Sequence, residues 1–327
     1  MVTPEQNQYE PIKSVHQVPL EEFYSSGHRT CQGCESALTM RHFAKAAGPR
    51  TVVTGSTGCM YVANTSYMTT PWIIPWMHTQ LGAAGASALG MAAGLQALMR
   101  KGRLAEERIN VIAHCGDLGG GDMGLSGISA ALQSNYNLLI ILYDNESAAN
   151  TDIQATGLTT YGAQTTFTPP GSAQRIMQRR WKKNVAGMMA VGHPTCRYVA
   201  TACATYPPMD LMNKVRKALS VGGPAFIHTF CPCPKGWDYH PRYSHQIGEL
   251  GVRSGIFPLY EVVEGRVHYT YDARKRRIPV REYLTQQGRF AHLVDEDIAH
   301  IQQMVDEMWE QWEVPGVAPF KGRLSEA

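Results

Sequence analysis

Ile109-Asn110-Val111-Ile112-Ala113-His114-Cys115-Gly116-Asp117-Leu118-Gly119-Gly120-Gly121-Asp122 decides the fold, read together with Leu138-Leu139-Ile140-Ile141-Leu142-Tyr143-Asp144-Asn145-Glu146. Each stretch is a short, β-rich apolar run with no alternation, the pattern of a parallel strand covered on both faces. Residues 123–134 between them read as the crossover helix of a βαβ unit. The first run ends in a glycine-rich turn with an acid, the second in an Asn. Ligands of such sheets sit at the carboxyl ends of the strands, and both polar ends lie there. Glycines let backbone N–H groups converge on phosphate oxygens. Mg²⁺ takes near-octahedral oxygen ligands shared between one or two protein oxygens and substrate phosphates. Asp117 supplies a carboxylate, Asn145 an amide oxygen, and a main-chain carbonyl near Ser147 completes a set for a metal-held diphosphate. Gly116, Leu118 and Gly119 frame the phosphate turn. A plain strand-to-helix turn is the bland alternative, and the paired Asn after the next strand weighs against it.

Working outward, Thr51-Val52-Val53-Thr54 is a short strand that feeds Gly55-Ser56-Thr57-Gly58-Cys59. Residues 81–99 are rich in Ala, Gly and Leu and form a closely packed helix; His78, Gln80 and Gln96 argue against a membrane span. Residues 197–201 read as a strand, 210–219 as a helix, and 224–230 as a strand that delivers Cys231 and Cys233. Successive strand ends thus bring Cys59, Asp117, Asn145 and Cys233 to one edge of the sheet. Residues 266–271 are a further strand, and 274–277 a basic turn. Residues 296–313 are a helix whose stripe Ile298, Ile301, Val305, Met308 and Trp312 faces the core or a partner subunit. The expected organisation is an arm over 1–27, a cofactor-binding domain over 28–246, and an extension over 247–327 that makes subunit contacts; the arm is expected to lie on another subunit.

The chain has 327 residues, 44% hydrophobic and 17% charged, enough for a large α/β domain with extensions. A net charge of +3 does not argue for nucleic acid, and Arg179-Arg180-Trp181-Lys182-Lys183 reads as a solvated helix face. The first twenty residues lack a signal-peptide pattern, and no run of eighteen apolar residues occurs, so the expected location is cytoplasmic. In a reducing compartment, clustered cysteines favour metal or redox roles over disulfides. Cys31-Gln32-Gly33-Cys34 is a C-x-x-C pair, and four thiolates hold a [4Fe–4S] cluster or a Zn²⁺ equally well. Cys115, Cys196 and Cys203 read as packing residues. His114 reads as a buried, hydrogen-bonded residue.

Gly116-Asp117 with Asn145, and the longer run Tyr143-Asp144-Asn145-Glu146-Ser147-Ala148-Ala149-Asn150-Thr151, resemble the thiamin diphosphate motif and loop of the 2-oxoacid:ferredoxin oxidoreductases, in their β subunit. The resemblance covers most of the chain. It implies the thiamin diphosphate-binding fold, Mg²⁺, and a [4Fe–4S] cluster on Cys31, Cys34, Cys59 and Cys233, the last in Pro232-Cys233-Pro234-Lys235-Gly236-Trp237. Cys231 is the rival fourth ligand. The resemblance also implies Asn150 as the catalytic polar contact to substrate, with Thr57 and Gly58 beside the cofactor. It implies an α subunit that completes the thiamin site, γ and ferredoxin-like δ subunits, ferredoxin as acceptor and coenzyme A as co-substrate. The family usually carries Gly where this chain has Leu118 and Asp152. With the run 157–163, these departures keep pyruvate, other 2-oxoacids, aromatic phenylglyoxylate and oxalate open. Two other readings stand beside it: a non-redox thiamin-dependent decarboxylase or synthase subunit with structural zinc, and a cofactor-free assembly subunit.

Overall fold

The structure, a computed structural model, describes residues 10–65 and 69–311. Residues 1–9 of the arm and Trp312, the end of the apolar stripe, lie outside the described residues. An eight-stranded sheet runs in the order β2-β1-β3-β4-β6-β5-β7-β8. Its strands are β1 (Thr51–Ser56), β2 (Trp76–Thr79), β3 (Asn110–Gly116), β4 (Leu139–Asp144), β5 (Tyr198–Cys203), β6 (Ala225–Phe230), β7 (Leu259–Val263) and β8 (Arg266–Tyr271). The first six are parallel, and β7 and β8 join antiparallel at the β5 edge. The expected α/β fold with a largely parallel sheet is therefore present. Strands β3 and β4 fall where the apolar runs place them, with every residue of β4 buried.

The helices are α1 (Glu35–Ala47), α2 (Cys59–Val62), α3 (Ala84–Arg100), α4 (Leu125–Leu132), α5 (Val185–Gly192), α6 (Asp210–Ser220), α7 (Pro234–Trp237), α8 (Ser244–Arg253), α9 (Val280–Leu284) and α10 (Asp295–Gln311). Alternate strand residues split the core in two. Val53, Ile112, Leu139, Ile141 and Ile227 meet Met40 and Phe43 of α1 and Leu211 and Val215 of α6. Val111, Ala113, Ile140, Leu142 and Phe226 meet α3, α4 and α5 through Ala88, Ile128 and Val185. The small-residue helix packs as expected: a Cβ on Gly85 would overlap the backbone of Gly127 on α4. The crossover differs from expectation in its first turn. Leu118–Met123 winds as a wide π-type turn before α4 begins, a feature that recurs at functional sites.

Several elements escaped sequence reading. Strand β2 is a four-residue, half-exposed edge with no apolar period. Helix α1 does carry buried residues at helical spacing, Ala37, Met40, Phe43 and Ala44, but it directly follows the C-x-x-C pair that drew the reading. The described part of the arm packs on this chain itself: Ile12 is buried and exchanges backbone hydrogen bonds with the Asn213 amide at 2.7 and 3.0 Å. Helix α8 spans the junction at 246–247, and Ile301, Val305 and Trp309 of α10 share a core with Phe230 and Trp237. Residues 247–311 thus share the sheet and core of the preceding residues. Among the described residues, no helix is long and apolar enough to cross a membrane.

Candidate functional site: the carboxyl edge of four adjacent strands

Strands β1, β3, β4 and β6 are consecutive neighbours in the sheet, and their carboxyl ends carry Cys59, Asp117, Asn145 and Cys233. The parallel register fixes the heights, pairing Gly55 with His114, Gly116 with Tyr143, and Asp144 with Phe230.

Asp117 is buried, and its Oδ2 accepts a hydrogen bond from Thr156 Oγ1 at 3.3 Å. Burial, then the neighbouring Asp144 carboxylate, hold the Asp117 carboxyl well above the usual range. Asn145 Oδ1 and Ser147 Oγ are buried without a hydrogen-bond partner. Buried polar atoms left so cost about 1–3 kcal/mol each. A carboxylate pushed toward neutrality and two unmatched oxygens are a donor set that a hard cation satisfies, so these residues fit Mg²⁺. Leu118 has no left-handed backbone, so the phosphate turn does not require glycine there. Asp152 does stand at φ 85°, the left-handed region where glycine carries no steric cost; Asp is among the side chains that tolerate it. Gly119 is buried in the turn. Asn150 is exposed on the short helical turn Ala149–Thr151, directly after the loop of Asn145 and Ser147.

The supports of this loop were not legible in the sequence. Glu146, at φ 60°, is buried and pairs with Lys182 Nζ and Arg289 Nη1, each at 2.7 Å. Thr160 Oγ1 donates to Glu146 Oε1 at 2.7 Å, and Thr159 Oγ1 donates to its backbone carbonyl at 2.7 Å. Burial would raise the Glu146 carboxyl, but the two cations outweigh it and lower it to about 2. Lys182 therefore does not belong to a solvated helix face: its side chain is 8% exposed, and the segment is not helical. Lys183 is exposed and pairs with Asp122, whose Oδ2 also accepts from Gly157 N at 2.8 Å. Trp237 Nε1 donates to the Asn145 carbonyl at 2.8 Å, and the Arg289 guanidinium lies 3.8 Å over the Trp237 ring. The one available signal was Glu146 itself, an acid placed next to a presumed metal ligand.

All eight cysteines are unpaired. Cys34 caps α1, Cys59 opens α2, and Cys233 caps α7, accepting from Gly236 N at 3.3 Å. Gly33 takes φ 69°, and a Cβ there would lie 2.6 Å from the Pro241 carbonyl, so the C-x-x-C turn requires glycine at this position. Burial first, then Cys233 and Cys31, push the Cys34 thiol up to about 12. Burial, then Cys233, Cys34, Asp117 and Cys31, raise Cys59 further, and Cys233 is raised by burial and by Cys31. The four thus share one neighbourhood, and Asp117 borders it. Cys231 sits elsewhere: fully buried, it contacts Thr39 Oγ1 at 3.3 Å and Thr229 Oγ1 at 3.4 Å. Among the described residues, no three His, Cys, Asp or Glu side chains are gathered as the ligands of one ion. Four neighbouring cysteines that do not gather on one ion fit the spacing of a [4Fe–4S] cluster, in which each thiolate takes its own iron. Cys115 and Cys203 are buried in the core, as expected, while Cys196 is half-buried.

Thr57 lies at the β1–β2 end. Its hydroxyl donates to the Thr79 carbonyl at 3.1 Å and meets His78 Nε2 at 2.9 Å. His114 is buried but not hydrogen-bonded, against expectation. Its ring stacks on Tyr61 with centroids 4.6 Å apart, neither nitrogen has a partner, and burial lowers its pKa to about 3. It is a neutral member of an aromatic cluster.

Residues 33–229 match the thiamine pyrophosphate enzyme C-terminal TPP-binding domain, so the sheet edge is that of a thiamin diphosphate-binding fold. The match leaves Cys31 and Cys233 outside its ends. The chain is 47% identical to pyruvate synthase subunit PorB of Methanocaldococcus jannaschii over 90% of its length and 97% of the relative's. It is 35% identical to ketoisovalerate oxidoreductase subunit VorB of Pyrococcus horikoshii, over 92% of this chain and 96% of that one. In fold it resembles a solved 2-oxoglutarate:ferredoxin oxidoreductase from Magnetococcus marinus, with a TM-score of 0.52 and 18% identity over 73% of this chain and 84% of the other. The chain belongs to the 2-oxoacid:ferredoxin oxidoreductase family, as a β subunit. It is a subunit of an oxidoreductase that uses thiamin diphosphate.

Proposed function

We propose that this chain carries the diphosphate half of the thiamin site and the first electron acceptor of an enzyme that oxidatively decarboxylates a 2-oxoacid to an acyl-CoA. The observation that carries the reading is the convergence of a metal-type donor set on adjacent strand ends with four neighbouring cysteines, Cys59 and Cys233 at strand ends and Cys31 and Cys34 in the turn before α1. Thiamin diphosphate supplies the carbanion chemistry and the electron sink for the 2-oxoacid. Asp117 and Asn145, with the main-chain carbonyl at Ser147, hold the Mg²⁺ that clamps the diphosphate on the turn of Gly116, Leu118 and Gly119. Asn150 offers its amide to the substrate. Thr57 and Gly58 wall the cofactor on the β1 side. Cys31, Cys34, Cys59 and Cys233 hold a [4Fe–4S] cluster within reach of that site, and Asp117 next to Cys59 supports this closeness. The aminopyrimidine half of the cofactor needs an α subunit, and γ and ferredoxin-like δ subunits pass electrons on to ferredoxin. Pyruvate is the substrate we favour, supported by the relative at 47% identity; ketoisovalerate, phenylglyoxylate and oxalate are the competitors in a substrate profile of the whole complex.

The test is anaerobic purification of the co-expressed complex, with visible absorption before and after dithionite, iron and zinc analysis, and a Cys31→Ala variant to subtract partner clusters. A band that bleaches, with about four irons lost in the variant, supports the reading. Zinc without iron at this site overturns the electron-transfer role. Cys233→Ala is expected to lose the same irons and Cys231→Ala to keep them; the reverse would move the fourth ligand to Cys231.

A further inference from the structure

Strand β6 carries one buried imidazole among apolar neighbours. His228 lies between Phe226, Ile227 and Phe230 and is 4% exposed. A buried polar ring is costly unless its nitrogens are matched. Its Nε2 meets Asp144 Oδ2 at 2.9 Å, and Asp144 Oδ1 accepts from the Glu146 amide at 2.8 Å. Asp144 thus accepts at both oxygens, so Nε2 carries the proton and Nδ1 is a bare acceptor. Phe257 stands edge to face on the ring, with centroids 5.3 Å apart, and fixes its plane. Nδ1 has no hydrogen-bond partner among the described residues, yet it is not one of the sealed, unmatched atoms of the core. It is reachable because His228 lines a cavity of about 400 Å³ bounded by β5, β6, β7, the segment 181–184 and α10. That volume lies in the range of small-molecule sites, which combine apolar walls with a few placed polar groups. Trp181, Ile256, Phe257, Met304 and Met308 supply the apolar walls. None of the residues assigned above to the diphosphate, the metal or the cysteine group lines it.

The charges around the cavity decide the chemistry of its ligand. Lys182 is paired with Glu146 and Lys183 with Asp122. Glu307, exposed at the cavity on α10, has no cation partner among the described residues. No cation is therefore left over for an anionic ligand. The Lys182 ammonium already lies 5.1 Å over the Phe257 ring, so a cationic ligand against that wall would meet like charge. We propose that this cavity is a second small-molecule site, for a neutral, largely apolar molecule whose one hydroxyl or N–H donates to His228 Nδ1. The donor matches the acceptor that the fold leaves open, and the body of the ligand covers the aromatic and methionine walls. The inference stands apart from the thiamin and cluster reading.

The experiment is calorimetric titration of the whole co-expressed complex with two isomeric probes, 3-methylindole, which has an N–H, and 1-methylindole, which has none. 3-Methylindole is expected to bind with a Kd under about 1 mM, and 1-methylindole about tenfold more weakly. Benzoate, an anion of similar size, is expected not to bind. Equal affinity for the two isomers overturns the proposal. Benzoate binding more tightly than 3-methylindole also overturns it, because Nδ1 would then carry a proton. No binding of either isomer overturns it as well, and means that water or another part of the complex fills the cavity. Met308→Trp fills the cavity from α10 without touching the Asp144–His228 pair, and is expected to abolish binding. If that variant fails to assemble, Met304→Trp serves the same purpose. Binding that survives the substitution in an intact complex overturns the placement of the site.

Discussion

Asp117→Asn is expected to weaken metal-dependent thiamin diphosphate binding by at least about 100-fold, because loss of even an outer partner of a metal ligand costs about 10–100-fold. The carboxylate is buried, and the groups that act most strongly on it are its own burial and the Asp144 carboxylate. Without a cation this charge is a burden on the folded state. The same substitution should therefore stabilise the cofactor-free protein, by about 1 kcal/mol or more, as a charge with no counter-ion is replaced by a neutral amide of similar shape. The sign with pH follows. The folded pKa is raised, so the stabilising protonated form is complete below the ordinary carboxylate range and is lost as pH rises through the folded value; that slope should flatten in the variant. Calorimetric titration of Mg²⁺ and thiamin diphosphate, with urea unfolding of the cofactor-free protein, reads both effects. Undiminished diphosphate affinity would remove Asp117 from the metal site.

Glu146→Gln is expected to be the most destabilising of the conservative changes, by about 3–5 kcal/mol. It leaves Lys182 and Arg289, 8% and 3% exposed in their side chains, without the carboxylate between them. Removing one partner of a buried ionic group costs far more than the group adds, because desolvation of the survivors is no longer offset. The loop conformation at Glu146 then loses its anchor, so Mg²⁺ affinity should fall as well, although Glu146 is not proposed as a ligand. The wild-type protein should lose the Glu146 contribution as pH falls from about 4.5 toward about 2, since the carboxyl is lowered to about 2 in the fold. The variant should lack that component. Urea unfolding at a series of pH values measures it, and a loss under about 1 kcal/mol at neutral pH would mean that the two cations find other partners.

These two expectations come from different levels of the molecule. Asp117 was readable as a candidate: it is a carboxylate in a glycine-rich turn after an apolar strand, matched by Asn145 one strand later, and the fold brings both to one sheet edge. Glu146 was visible as a letter but not as a function, because its partners lie at positions 182 and 289. Lys182 was misread as solvated for the same reason. Four basic residues within a run of five suggest a surface until a long loop turns one of them inward. His114 was placed correctly as buried, but its expected hydrogen bonds are replaced by stacking on Tyr61, which depends on how β1 and α2 meet β3.

The sequence by itself determined the parallel strands β3, β4 and β6, the small-residue helix α3, and the polar residues at each strand end, since these depend on local apolar runs and on chain direction alone. It also supplied four candidate cysteines and a rival. Tertiary structure alone decided that β1, β3, β4 and β6 are neighbours, which turns four separate strand ends into one edge. It also set Cys233 and Cys231, two residues apart, in different surroundings. Positions i and i+2 would share a face of a continuing strand, but β6 ends at Phe230 and Cys233 caps α7, so its thiol neighbours Cys31, Cys34 and Cys59 while Cys231 is held in the core by Thr39 and Thr229. It also joined residues 247–311 to the sheet, because β7 reaches β5 only after a chain reversal whose pairing is non-local.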